Sequence, residues 1–214
     1  MGTIKTTNIE TITGSGTLTL GQSGETISIP TNTTLGASGS TITIPSGCTI
    51  TNNGTQTGFG GTMTPAFEVY LSATQTLTNA TATKIQFNTE VFDTASAYDN
   101  ATNYRFTVPS GQGGRYFVYN NLCLYDGQNA ERIGYSNTYV YKNGSEFADY
   151  YGDLGTAKAQ TSFTRSIGLI MNLSATDYIE IYARIGNTAG GSPQIYGYSS
   201  GNLYSNFGAY KIIE

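Results

Sequence analysis

Apolar side chains recur at every second position through much of this chain. Ile85 and Phe87 alternate with Gln86 and Asn88, and Tyr104 and Phe106 alternate with Arg105 and Thr107. That period belongs to a strand with one face buried. Pro109, Ser110 and Gly111 then interrupt the run, and Tyr116, Phe117 and Val118 open the next one. Read in this way, strands are predicted at 66–70, 83–87, 104–107, 115–124, 138–142, 162–173, 178–185, 194–198 and 207–213. No comparable stretch keeps helical periodicity without glycine or β-branched interruptions. The expected class is all-β, an antiparallel sandwich or jelly roll over residues 65–214.

Residues 1–64 read differently. All 17 tyrosines lie at Tyr70 or later, and the only charges in the first segment are Lys5, Glu10 and Glu25. Thr, Gly, Ser and Ile dominate it. The unit Gly24-Glu25-Thr26-Ile27-Ser28-Ile29-Pro30 recurs as Gly39-Ser40-Thr41-Ile42-Thr43-Ile44-Pro45, and Thr17-Leu18-Thr19-Leu20 is a degenerate earlier copy. Each unit is a short strand with Ile on one face and Thr or Ser on the other. One unit alone has nothing to cover its Ile face, whereas stacked units or three wrapped chains do. The expectation is a short β-solenoid or β-prism shaft, trimeric, with Ile27, Ile29, Ile42 and Ile44 on the buried seam. The alternative is a flexible Thr/Gly/Ser linker. Gly58, Gly60 and Gly61 mark the joint, so the domains are expected at 1–64 and 65–214.

Two resemblances join these halves. Tyr98-Asp99, Tyr104-x-Phe106, Pro109-x-Gly111 and Gly114-x-Tyr116-Phe117 follow one another in the order of the C1q-like (C1q/tumour-necrosis-factor) jelly-roll domain, which the region resembles. Pro65-Ala66-Phe67 is similar to that family's opening strand and Lys142-Asn143-Gly144 to a mid-domain hairpin. Asp177-Tyr178-Ile179-Glu180-Ile181 is similar to the strand after its Gly-Asp turn, with Thr176 in place of the glycine, and Asn206-Phe207-Gly208-Ala209 to its closing strand. The resemblance implies a compact homotrimer that binds ligands and has no catalytic site. The opening Thr3-Ile4-Lys5 with Ile9, leading into Thr/Ile/Gly repeats, resembles the start of structural proteins of tailed bacteriophages that infect marine cyanobacteria. Shaft plus head is how phage fibres are built.

Composition narrows the function. Charged residues are 11% of the 214, with a net charge of −4 and a pI near 4.8. An acidic, charge-poor chain offers no basic face to a phosphate backbone, so nucleic-acid binding is not expected. No apolar run reaches the length of a membrane span. Residues 1–10 lack the apolar core of a secretory signal. Synthesis in a cytoplasm is therefore expected, and the phage resemblance implies residence in a virion. With no histidine in the chain, Ser-His and Cys-His nucleophile systems and imidazole metal sites are excluded. Cys48 and Cys123 are read as buried free thiols in separate domains.

Carboxylates remain as candidate chemistry. Glu90 with Asp93, Glu146 with Asp149 and Asp153, and Asp177 with Glu180 are the acids a glycan-cleaving enzyme would use. Glu146, Asp149 and Asp153 offer oxygen ligands to Ca²⁺; no other cofactor is expected. The alternative for all of them is a set of solvated surface acids. Between Arg184 and Lys211 the chain is uncharged and rich in Gly, Ser, Asn and Tyr. Tyr196, Tyr198 and Tyr204 there supply rigid aromatic area of the kind binding loops use; the competing role is packing at a trimer rim. The expected function is host-surface adhesion, with a glycan as receptor, by a fibre-type protein joined to other virion proteins through its N-terminus. A capsid-decorating or head-fibre structural role, and a glycan-cleaving tailspike enzyme, are the alternatives.

Overall fold

The structure is a computed structural model and describes residues 43, 46–49, 63–127, 132–155, 160–188, 191–198 and 201–212. The chain forms two compact units, Met1–Thr55 and Gln56–Glu214. Ile27, Ile29, Ile42, Ile44 and the glycines at 58, 60 and 61 lie outside the described residues.

Thirteen strands follow one another in the described part of the second unit: β1 (Ala66–Tyr70), β2 (Gln75–Thr76), β3 (Thr83–Lys84), β4 (Thr89–Asp93), β5 (Tyr98–Asp99), β6 (Arg105–Thr107), β7 (Gly114–Tyr125), β8 (Ile133–Lys142), β9 (Ser145–Asp153), β10 (Ser162–Leu173), β11 (Tyr178–Asn187), β12 (Gln194–Ile195) and β13 (Asn206–Lys211). They form two antiparallel sheets. One has the order β2-β12-β7-β13-β1-β4, with β10 along the other side of β7; the second runs β5-β6-β11-β8-β9, with β3 on β11. The chain passes back and forth between the sheets, as in a jelly roll. No helix among the described residues is long and apolar enough to cross a membrane.

The alternation read from the sequence is what closes the sandwich. Along β7, Tyr116, Val118, Leu122 and Leu124 are buried while Phe117, Tyr119, Asn121 and Cys123 point the other way. Along β11, Ile179, Ile181, Ala183 and Ile185 face the same core. Phe67 from β1 sits at its centre. It stacks on Phe106 (centroids 4.7 Å apart) and Tyr98 (5.2 Å) from the facing sheet, and meets Phe207 edge-on at 5.0 Å.

Two strands depart from the expectation. Residues 90–93 and 145–153 were expected in loops, yet they form β4 and β9, each at a sheet edge. Both carry a bulge: the register with β1 shifts between Glu68 and Val69, and that with β8 between Val140 and Tyr141. The extra residues, Val91 and Phe147, break the two-residue period that betrays a strand. Conversely, the strand expected at 83–87 ends its ladder at Lys84. Ile85 and Phe87 are still fully buried, but the amide of Gln86 is taken by the Oε1 of Gln75 at 2.9 Å.

The β8–β9 hairpin turns on Asn143 and Gly144, at φ +53° and +77°, the left-handed pair a two-residue hairpin requires. Thr176 also has a positive φ, +73°. Its amide bonds to the Val108 carbonyl at 2.9 Å, and the Asp177 amide to Ser174 at 3.1 Å. A β-branched residue is strained there by about 1–2 kcal/mol. Thr176→Gly is therefore expected to stabilise the unit by about 1 kcal/mol after the extra chain entropy of glycine is subtracted. A lower melting temperature for the variant would contradict this.

Candidate interaction face

The cross-strand register lays out the outward face of the seven-stranded sheet row by row. One row runs Ala66, Tyr210, Phe117, Ile170; the next runs Phe92, Glu68, Gly208, Tyr119, Gly168; a third runs Tyr70, Asn206, Asn121, Ser166. Phe117 contacts Tyr119 and Tyr210 with centroids 6.1 and 5.5 Å apart. These rings lie across backbone: a Cβ on Gly208 would come within 2.5 Å of the Tyr119 ring, and one on Gly168 within 3.0 Å of Phe117. The result is a flat aromatic surface edged by Ile170, which is 61% exposed, and Phe92, 44% exposed.

Charge is almost missing from these three rows. Their carboxylate, Glu68, accepts a hydrogen bond from Asn206 Nδ2 at 2.7 Å, and Asn206 Oδ1 accepts one from Asn121. Burial, with Glu68 close by, pushes the Tyr119 hydroxyl up to about 12. It therefore stays protonated at any physiological pH.

The outward face of the other sheet is different. It too is rich in tyrosine, but its rings carry cations: Arg105 lies 4.1 Å from the Tyr178 ring, Arg184 5.2 Å from Tyr135 and Lys84 5.8 Å from Tyr182. Lys84 also pairs with Glu180, and Tyr141 stacks on Tyr182 at 4.1 Å. On this face the charges are held by rings and by one another, and Glu180 is itself buried under Lys84.

The candidate acids are spread out. Glu146, Asp149 and Asp153 lie along β9 opposite Tyr141, Tyr139 and Tyr135. Four residues separate the last two partners, roughly 13 Å of strand. Asp149 accepts from Asn137 Nδ2 at 2.8 and 3.0 Å, and Asp153 accepts the Gly155 amide at 2.7 Å. The three do not converge, and no group of three His, Cys, Asp or Glu among the described residues is placed to hold a metal ion.

The paired acids have other partners. Asp93 accepts the amides of Ala95, Ala97 and Tyr98, which shapes the turn into β5. Glu90 projects from β4 and is exposed. Asp177 is bound by Lys142, Asn143 and the Ser174 amide, which hold its carboxyl down at about 2. Asp99, capping the amides of Ala101, Thr102 and Asn103, is likewise lowered to about 2. A general acid of glycan cleavage needs a shift in the opposite direction.

Both cysteines are free. Cys48 is exposed rather than buried as expected. Cys123 is half-buried on the outward side of β7, where burial raises its thiol pKa and keeps it a poor nucleophile.

Of the three candidate tyrosines, Tyr196 and Tyr204 meet at the far end of this same outward face, and Tyr198 packs on Tyr70 instead. Tyr196 and Tyr198 follow β12 on either side of Gly197 and share a face, although the ladder itself stops at Ile195. Their amides bond to the carbonyls of Cys123 (2.9 Å) and Leu71 (2.7 Å). Tyr196 stacks on Tyr125 at 4.7 Å and meets Tyr204 at 5.9 Å; Tyr198 leans on Tyr70. Tyr198 is 46% and Tyr204 40% exposed, so neither is a core residue. Tyr125 and Tyr70 were not singled out in the sequence. Only the pairing of β12 with β7 and the return of the chain past β1 bring them here.

No protein-family model and no curated protein sequence matches the chain. Among solved structures, it is similar to Eiger TNF from S. frugiperda at 13% identity, covering 69% of this chain and 91% of that one with a TM-score of 0.48. The globular domain of zebrafish complement 1qA protein gives 15% identity, 69% and 97% coverage and a TM-score of 0.44. Murine APRIL gives 10% identity, 69% and 98% coverage and a TM-score of 0.48. Identities this low carry no residue roles across.

Proposed function

We propose that this chain is a non-enzymatic adhesion module that works as a homotrimer, the fibre-type structural protein of a phage particle. The observation behind this reading is the contrast between the two outward faces. One is flat, aromatic and nearly uncharged; the other is tyrosine-rich but laced with paired charges. Apolar aromatic area left in water costs about 25 cal/mol for each Å². A second and third copy of the same face remove that cost, and the carboxylate of its central rows, Glu68, already accepts a hydrogen bond from Asn206.

In this reading the aromatic rows around Phe117, Tyr119, Tyr210 and Ile170 form the inter-chain contact. The repeat segment, with Ile27, Ile29, Ile42 and Ile44, continues the assembly as a shaft, and the N-terminus joins other virion proteins. Three heads held together bind a host-surface receptor by avidity, so weak single sites suffice.

Sedimentation velocity on the full chain, with attachment of the labelled protein to cyanobacterial cells, tests the proposal. A trimer with saturable attachment is the expected result. A monodisperse monomer would remove the assembly. A trimer that attaches to no cell would leave a purely structural role on the particle.

A further inference from the structure

We infer that the groove lined by Thr74, Tyr196, Gly197 and Tyr204 is a binding site for a single neutral sugar ring, an assignment that rests on the adhesive reading above and gives it a place on the head. The groove encloses about 310 Å³. That is the lower end of the range for small-ligand pockets, room for one ring rather than a peptide segment.

Its walls have the chemistry of polyol recognition. Tyr196 and Tyr204 stand 53° apart with centroids separated by 5.9 Å. They are not a parallel sandwich, so a flat aromatic guest has no slot between them. A pyranose, with an apolar C–H face and equatorial hydroxyls, fits an angled pair of rings better. Tyr196 is held from behind by its stack on Tyr125, at 4.7 Å and 17°. A preorganised ring of this kind loses little entropy on binding.

The polar groups are few and neutral. Thr74 Oγ1 accepts the Gly197 amide at 3.4 Å, which leaves its own proton to donate. Gly197 packs so closely on residue 73 that a Cβ there would come within 2.2 Å of the Ala73 backbone, so the floor is bare main chain. No charged residue occurs between Arg184 and Lys211. A sugar acid would find no cation from this segment, and a basic ligand no carboxylate.

Position also fits. Tyr125 is eight residues along β7 from Phe117, roughly 27 Å of strand. The groove is therefore at the opposite end of the sheet from the Phe117–Tyr210–Ile170 cluster, and trimers formed through that cluster leave its mouth available.

Saturation-transfer NMR on the full-length protein tests this, with glucose, galactose, mannose and N-acetylglucosamine as neutral probes and glucuronic and sialic acid as charged ones. At least one neutral sugar is expected to receive saturation, and both acids none. Tyr204→Ala should weaken that binding at least tenfold, Thr74→Val several-fold, and Tyr204→Phe little, all with the melting temperature and assembly mass of the native protein. Binding by the acids alone, by no sugar, or undiminished binding by Tyr204→Ala would overturn the assignment. Attachment of the same proteins to cells separates the two levels. Native attachment without a sugar signal refutes the groove and leaves adhesion standing; no attachment and no sugar signal refutes both.

Discussion

Ile170→Glu is expected to convert the assembled protein to monomers while leaving each head folded. The side chain is 61% exposed on β10 and faces outward beside Phe117, its register partner. In one chain, therefore, the substitution removes almost no packing, and a surface change of this kind falls within about 0.5 kcal/mol. In the proposed trimer it would place a carboxylate in an aromatic contact once per chain. Each copy forfeits up to about 2 kcal/mol of apolar burial and adds the larger desolvation cost of a charge. Repeated around a closed assembly, the sum exceeds what a modest interface supplies. Sedimentation velocity and thermal unfolding on the same sample give the answer. A trimer of unchanged affinity would remove this face from the interface, and loss of the folded signal would show that Ile170 packs inside the head.

Phe67→Ala is expected to be the most destabilising single change in the head. Phe67 is fully buried and touches Tyr98, Phe106 and Phe207, so its ring joins residues from both sheets. Truncation leaves a cavity the size of a ring between sheets whose backbones are fixed by their ladders. Little collapse is available, and a loss of about 4 kcal/mol follows. For a unit of this size the midpoint of thermal unfolding should fall by about 10 °C. Phe147→Ala, a change in the same residue type at a 51% exposed position on β9 of the other sheet, is the comparison, and should shift the midpoint by a degree or two at most. Equal effects of the two would mean that the ring cluster is not the centre of the core.

Strands without a bulge of their own were legible from residue order, whether inside a sheet or, like β10, paired along one side only. The expected bounds 66–70 and 162–173 coincide with β1 and β10, and β7 and β11 exceed their expected ranges by only one or two residues at an end. Each buries one face along its length, so alternation is written directly into the chain. The two bulged edge strands were not legible. β4 and β9 each contain an inserted residue and leave large side chains exposed, Val91 and Phe92 in one, Phe147 and Tyr151 in the other. A strand with one neighbour and a bulge has no strict two-residue period to read.

The same division holds for the candidate site. Tyr196, Tyr198 and Tyr204 were singled out because an uncharged, glycine-rich stretch with spaced tyrosines is a local signal. Local sequence also decided that the described head is all-β, that the chain has no histidine chemistry, and that an aromatic region follows a Thr/Ile/Gly region. What the tertiary structure alone decided is which aromatics meet. Phe117 and Tyr210 are 93 residues apart in order and 5.5 Å apart in space, and Tyr125 reaches Tyr196 only because β12 pairs with β7. It also decided that the outward rings Phe117 and Tyr119 of β7 pack against Tyr210 and each other, whereas those of β11 carry cations. Alternation tells which side chains share a face. Which face meets water and which meets another surface depends on neighbours brought in by long-range strand pairing, and residue order alone holds no record of them.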